Sequence, residues 1–204
     1  AIYSNFLNVN KFEEAHEYWE TVYTHAPAGY GKNYNIFMDG VVIYTNFLRN
    51  ATDEQEKQKY IEKIMSLYDE AMNCFPNKVA ELKGRKGFDL YYNFPDLADD
   101  MEKFRLLQSA VDTLGNNTPV FVINPMTALL VNLYLNDELE QSEASEYAMK
   151  LADITEYNHA KDSDNESWNI VKEFAMEQIS NLEGEEDFYP CTYYKEKYYP
   201  IYLS

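Results

Sequence analysis

The chain has 204 residues, 46% hydrophobic and 16% aromatic, which is enough apolar material for a folded core without metal or disulfide staples. Its 35 acidic and 17 basic residues leave a formal charge of −18, which repels a phosphate backbone and disfavours nucleic acid and anionic membranes as partners. No run approaches the roughly 18 consecutive apolar residues of a membrane span, and no basic stretch followed by an apolar one opens the chain. It starts at Ala1 rather than Met, as a processed or trimmed form would. Cys74 and Cys191 lie far apart and belong to no Cys/His cluster, so the expectation is two free, partly buried thiols and no zinc site.

In chain order, Asn10 with Glu13 resembles a capping arrangement for a helix from about Lys11 to His25. Phe12, Ala15, Trp19 and Val22 form one apolar stripe, and Pro27 stops it. Only nine residues, AIYSNFLNV, precede this unit, so a helix before it must be short or missing. After the turn AGYGKN, residues 33–49 place Ile36, Phe37, Gly40, Ile43, Tyr44 and Phe47 on a wide apolar face. Gly40 costs about 1 kcal/mol relative to alanine inside a helix, so a close crossing by a neighbouring helix is its natural explanation.

Thr52 with Gln55 offers a capping box for a long helix to about Cys74, with Tyr60, Ile61, Ile64, Leu67, Tyr68 and Ala71 facing inward. A fourth helix, 78–92, carries Gly84 or Gly87 in the role of Gly40, together with the basic cluster Lys83, Arg85 and Lys86. That cluster either neutralises the acidic helices around it or engages an acidic ligand. Phe94, Pro95 and Asp96 are a break and a cap before a fifth helix that ends at Gly115. PVFVINPMTALLVNLYL reads as a helix starting at Pro119, or restarting at Asn124 and Pro125, because a lone VFVI strand has no partner. Helices follow at about 142–160 and 166–182, the latter presenting Trp168, Ile170, Val171, Phe174, Ala175 and Ile179. The final stretch is dense in tyrosine, with Cys191, Tyr194, Tyr198 and Tyr202 on adjoining faces and Pro200 closing the helix. Its outer face is not polar, as a terminal repeat's would be, so a further repeat or a partner is expected to follow it.

The helix carrying Ala15, Trp19, Val22 and Pro27 has a second copy in Ile64, Tyr68, Ala71 and Pro76. These residues, with Gly40 in the preceding helix, resemble the tetratricopeptide repeat (TPR), two antiparallel helices in about 34 residues. Gly40 to Pro76 is 36 residues where the consensus allows about 24, so about twelve extra residues lengthen the helices or their turn. Further, NFLRNATD, YDEAMNCFP and the GRKGFDL run look like a group of bacterial cell-envelope repeat proteins. The resemblance implies an all-α fold of about eight or nine helices, hairpins stacked as a right-handed TPR-like α-solenoid. It implies a single repeat domain over 1–204, with the clearest repeats in 10–115 and degenerate hairpins in 116–204, as part of a longer array. It also implies a periplasmic or cell-envelope scaffold without catalytic residues or cofactors.

No catalytic or metal-binding motif competes with that reading. His16, His25 and His159 show no metal-binding spacing, and no GxSxG, phosphate loop or complete calcium loop occurs; DSDNE at 162–166 lacks the glycine and distal glutamate of an EF-hand. For a scaffold that binds a protein or peptide, stacked hairpins present a groove lined by their first helices. The candidate contacts are Tyr34, Asn35, Asp39, Asn46, Lys83, Lys86 and Tyr91. The alternative is a glycan-binding helical protein using exposed tyrosine and tryptophan, with Tyr189 to Tyr202 as candidates. Trp19 is expected to be a knob between helices rather than a ligand-stacking residue.

Overall fold

A computed structural model describes residues 2–28, 33–185 and 187–202, leaving most of the AGYGKN turn outside the described residues. Among the described residues the fold is all-helical, with 83% helix, no strand and ten α-helices. These are α1 (Ile2–Leu7), α2 (Phe12–His25), α3 (Asn35–Asn50), α4 (Glu54–Cys74), α5 (Val79–Tyr92), α6 (Asp100–Leu114), α7 (Val120–Leu135), α8 (Gln141–Lys161), α9 (Glu166–Asn181) and α10 (Cys191–Tyr202). The count exceeds the expected eight or nine. α1 is the added helix, too short to show periodicity and supported by packing on α2 rather than by propensity. The chain divides into two compact units, Ala1–Leu82 and Lys83–Ser204, with the boundary inside α5.

In the first unit α2 packs on α1 and α3, and α3 packs on α4. Trp19 is the keystone. It is 1% exposed, its indole N–H donates to the Ile36 carbonyl at 2.7 Å, and Tyr23 stacks on it at 4.7 Å. A Cβ on Gly40 would lie 2.4 Å from the Trp19 ring, so the glycine exists to let α3 approach the indole. Ala15, Ile64 and Ala71 are fully buried and Tyr68 nearly so. On the rim, the Tyr23 hydroxyl donates to Glu70 while Lys63 Nζ donates to that hydroxyl at 3.0 Å. Burial, then the Glu70 hydrogen bond, pushes the Tyr23 pKa up.

The starts and stops differ in detail from what the sequence suggests. Asn10 does not cap α2; it takes the left-handed conformation (φ 56°) that lets the chain reverse after α1, which asparagine tolerates. The cap of α4 is Asp53, whose side chain accepts from the Glu56 N–H at 2.9 Å, not Thr52. Asp99, not Asp96, caps α6 by accepting from the Glu102 N–H at 2.7 Å, because Pro95–Leu97 forms a separate 3-10 turn. Gly115 ends α6 at φ 51° and ψ −126°, a conformation that requires glycine. At the other end of the chain, α10 runs on past position 200 to Tyr202 instead of closing there. Cys74 and Cys191 are free, as expected, but both are exposed rather than partly buried.

In the second unit α7 touches α6, α8 and α9, which explains why its sequence is apolar on every side. Val122, Ile123, Met126, Leu129, Leu130 and Leu133 are all at most 1% exposed. The helix starts after Pro119 and runs through Pro125, whose missing N–H removes only the bond to the Phe121 carbonyl. α6 and α8 are tied at their surfaces. Arg105 forks onto Glu143, Gln108 donates to Glu143 at 2.7 Å, and Asp112 accepts from Tyr147 at 2.8 Å and Lys150 at 2.6 Å. The Arg105 hydrogen bond holds the Glu143 carboxyl below its ordinary range. Gly84 and Gly87 both take the role of Gly40, since an added Cβ would meet Val122 and Ala110 at the first and Leu107 at the second.

Candidate functional site

Within the second unit, α5, α7 and α9 together line an open cleft of about 320 Å³. α5 supplies Phe88 and Tyr92, one turn apart, with ring centroids 4.8 Å from each other. α7 supplies Val120, Phe121 and Asn124 from its first turns, and Phe121 meets Phe88 edge-on at 5.6 Å. α9 supplies Ser167, Ile170 and Val171. The walls are almost wholly apolar, and the Arg85 guanidinium caps the Phe121 ring at 5.2 Å. The polar residues in the lining are Ser167 and Asn124. The Asn124 Oδ1 is shielded and has no hydrogen-bond partner among the described residues, a condition that costs about 1–3 kcal/mol.

The cleft continues into an uncovered surface. Ile170 is 62% exposed and Phe174, one turn along α9, is 47% exposed, while Tyr92 on the opposite wall is 51% exposed. Val171, Ala175 and Ile179 carry the buried stripe of α9. By spacing alone Ile170 and Phe174 group with that stripe. The apolar set is too wide for one buried face, and that width is the signal for a second, open one.

The seven groove candidates fall four in the first unit and three in the second. In the first, the Tyr34 hydroxyl donates to Glu81, and Asn35 is exposed with its N–H donating to Asn33 Oδ1 at 3.2 Å. Asp39 is half-buried and accepts from the Tyr3 hydroxyl at 2.9 Å, while Asn46 accepts from Asn50 at 3.2 Å. Burial raises the Asp39 pKa against the lowering effect of Tyr3. In the second unit, Lys83 donates to Ser109 at 3.1 Å, Lys86 is half-buried, and Tyr91 packs on the core beside Tyr92. Tyr91 abuts one wall of the cleft, but none of the seven lines it. Phe88, Phe121 and Ile170 are not legible as site residues in the sequence because apolar spacing does not tell a buried face from an open one.

The C-terminal tyrosines divide: Tyr189, Tyr193 and Tyr194 pack on the core, while Tyr198, Tyr199 and Tyr202 are exposed. Tyr189 is 3% exposed and stacks on Tyr193 at 3.9 Å, and Tyr193 and Tyr198 both donate to Glu183 at 2.9 Å. Lys197 also binds Glu183, and although burial opposes it, that hydrogen bond raises the lysine pKa. Tyr199 remains 54% exposed beside Thr192, Lys195 and Glu196.

Other polar groups have structural duties. His16 meets the Tyr44 hydroxyl at 2.9 Å and packs among aromatic rings, and His25 Nδ1 lies 2.8 Å from the Thr21 carbonyl. In DSDNE, Asn165 caps α9 by accepting from the Ser167 and Trp168 N–H groups. Among the described residues no group of three or more His, Cys, Asp and Glu is placed to hold a metal, and no helix is long and apolar enough to cross a membrane. Comparison with protein-family models, with curated proteins and with solved structures finds no match to this chain.

Proposed function

We propose that this chain is a non-catalytic scaffold of TPR-like hairpins, stacked as a right-handed solenoid, that captures a protein or peptide segment in the bacterial cell envelope. The observation that carries the binding reading is the open apolar cleft of α5, α7 and α9, with Ile170, Phe174 and Tyr92 uncovered. Isolated exposed apolar side chains are ordinary, but a contiguous patch continuous with a concave cleft marks a docking site. The hairpin reading draws support from α7, which packs on α8 and also on α9, as a first helix meets the next first helix in stacked hairpins. The repeat positions Ala15, Trp19, Ile64, Tyr68 and Ala71 are buried.

A displayed random-peptide library selected on the protein tests this reading. The selected peptides should lose binding at least about tenfold to Ile170→Asp and Phe121→Asp, since each places a charge in a desolvated contact. Ligands indifferent to both substitutions would remove the cleft from the function. The envelope assignment is checked separately by fractionating the native cells.

The glycan-binding alternative has a narrower base. It rests on Tyr199 with Thr192, Lys195 and Glu196, a ring flanked by polar groups in a shallow depression of about 440 Å³. Titration with a glycan panel should leave the Tyr199 ring resonances unshifted if the peptide reading holds.

A further inference from the structure

The cleft-side face of α9 has a composition that helix stability does not explain. Glu166 and Ile170 are four residues apart, Ile170 stands three and four before Glu173 and Phe174, and these stand four and three before Glu177, which puts all five on one side of the helix. All five are exposed. None of the three glutamates holds an ion pair among the described residues, whereas Lys172, turned toward α8, pairs with Glu156 at 3.0 Å. Glu173 and Glu177 are like charges one turn apart, a destabilising arrangement, and Glu177 approaches the C-terminal end of the helix, where the macrodipole disfavours a carboxylate. Only Glu166, in the first turn, serves the helix it sits on.

The α5 wall carries the Arg85 cation over Phe121, but the unit as a whole has the sign of the α9 face. The second unit carries 23 of the 35 acidic residues and 10 of the 17 basic ones, a net of −13 against −5 for the first unit. Ile170 and Phe174 lie between the cleft and a row of unpaired carboxylates, which matches a surface that is apolar along one side and cationic along the other. Glu166 and Glu177 are about 17 Å apart along the helix axis at 1.5 Å per residue, the length of about three helical turns.

We propose that the α9 face and the adjoining cleft take a cationic amphipathic helix of about three turns, belonging to a partner protein. This deepens the peptide-binding reading and rests on it. One or two large apolar residues of the incoming helix enter between Phe121 and Ile170. Lysine or arginine residues at its flanks meet Glu166, Glu173 and Glu177, so the apolar contact holds the partner and the charges select it.

Two synthetic peptides of about 14 residues test the idea, one with a leucine face flanked by lysine and the other with glutamate replacing every lysine. The lysine peptide should bind, weaken about tenfold or more between about 50 and 500 mM NaCl, and be released by Ile170→Asp. Glu173→Lys with Glu177→Lys should weaken it about tenfold while leaving the circular dichroism unchanged and the Tm no lower, since both side chains are exposed and a cation suits the C-terminal end of the helix. Glu102→Lys with Glu138→Lys makes the same change in net charge on other exposed positions and should weaken it less than about twofold.

Equal binding of the glutamate peptide, or equal loss in the two double variants, overturns the inference and leaves the peptide-binding reading standing. Uptake of zwitterionic lipid vesicles in preference to the lysine peptide overturns it in favour of a membrane surface. Failure of both synthetic peptides while library-selected peptides bind the cleft sinks this inference alone; failure of all peptides sinks both readings.

Discussion

At the scale of single residues, Asp39 shows how one contact changes a side chain's meaning. In the sequence it is an acidic residue among the candidate groove contacts. In the fold it is half-buried and accepts the Tyr3 hydroxyl at 2.9 Å, and burial outweighs that hydrogen bond to raise its pKa. Tyr3 itself is pushed up to about 12 by burial and by the Asp39 charge. A carboxyl whose folded-state pKa lies above its unfolded value binds protons more tightly when folded. Its contribution to stability therefore falls as pH rises from the ordinary carboxylate range through the raised pKa, and the ionised form is a net cost at neutral pH. Asp39→Asn retains an acceptor for Tyr3 and removes the charge, so it should raise Tm at pH 7 and lose that advantage below about pH 4. Thermal melts across that range check it, and a lower Tm at pH 7 would show that the charge itself is needed.

At the scale of elements, the spacing of α2 and α3 is set by Trp19 and Gly40. A methyl at position 40 would lie 2.4 Å from a rigid, buried indole whose N–H is already tied to Ile36, so the ring has nowhere to move. Alanine gains about 1 kcal/mol of helix propensity, while overpacking a core costs about 1–3 kcal/mol, and the clash should win here because its partner is aromatic and immobile. Gly40→Ala should accordingly lower the urea midpoint without changing the slope, and pairing it with Trp19→Phe should recover part of the loss. A midpoint that rises would mean that α3 shifts freely. The sequence points to this pair correctly, since an interior helix glycine needs a close neighbour and a tryptophan on an apolar helical stripe needs a cavity. It is less informative about caps. Thr52, Asp53 and Asp96, Asp99 are chemically equivalent candidates, and only the path of the chain before each helix decides which side chain reaches the free N–H groups.

At the scale of the whole molecule, charge dominates. A formal −18 is far more than the exposed ion pairs offset, each being worth at most about 1 kcal/mol. Raising NaCl from about 20 to about 300 mM shortens the screening length below the dimensions of a domain, so relief of self-repulsion should outweigh weakened ion pairs and raise Tm by a few degrees. Calorimetry in a salt series checks this, and a falling Tm would show that the α6 to α8 ion pairs outweigh the self-repulsion. The same charge excess sets the kind of partner that the α9 face favours.

Taken alone, the sequence determined that the chain is helical, where nearly every long helix runs, and that Trp19, Gly40, Ile64, Tyr68 and Ala71 are packing residues. Those properties follow from apolar spacing, proline and glycine placement, which act over one or two turns. Tertiary structure alone decided that α1 forms, that Asp39 and Lys83 are occupied by Tyr3 and Ser109, and that Ile170 and Phe174 stay uncovered. Periodicity tells which residues share a face. Whether that face is covered depends on which helix lies against it, and that is set by contacts between residues distant in sequence.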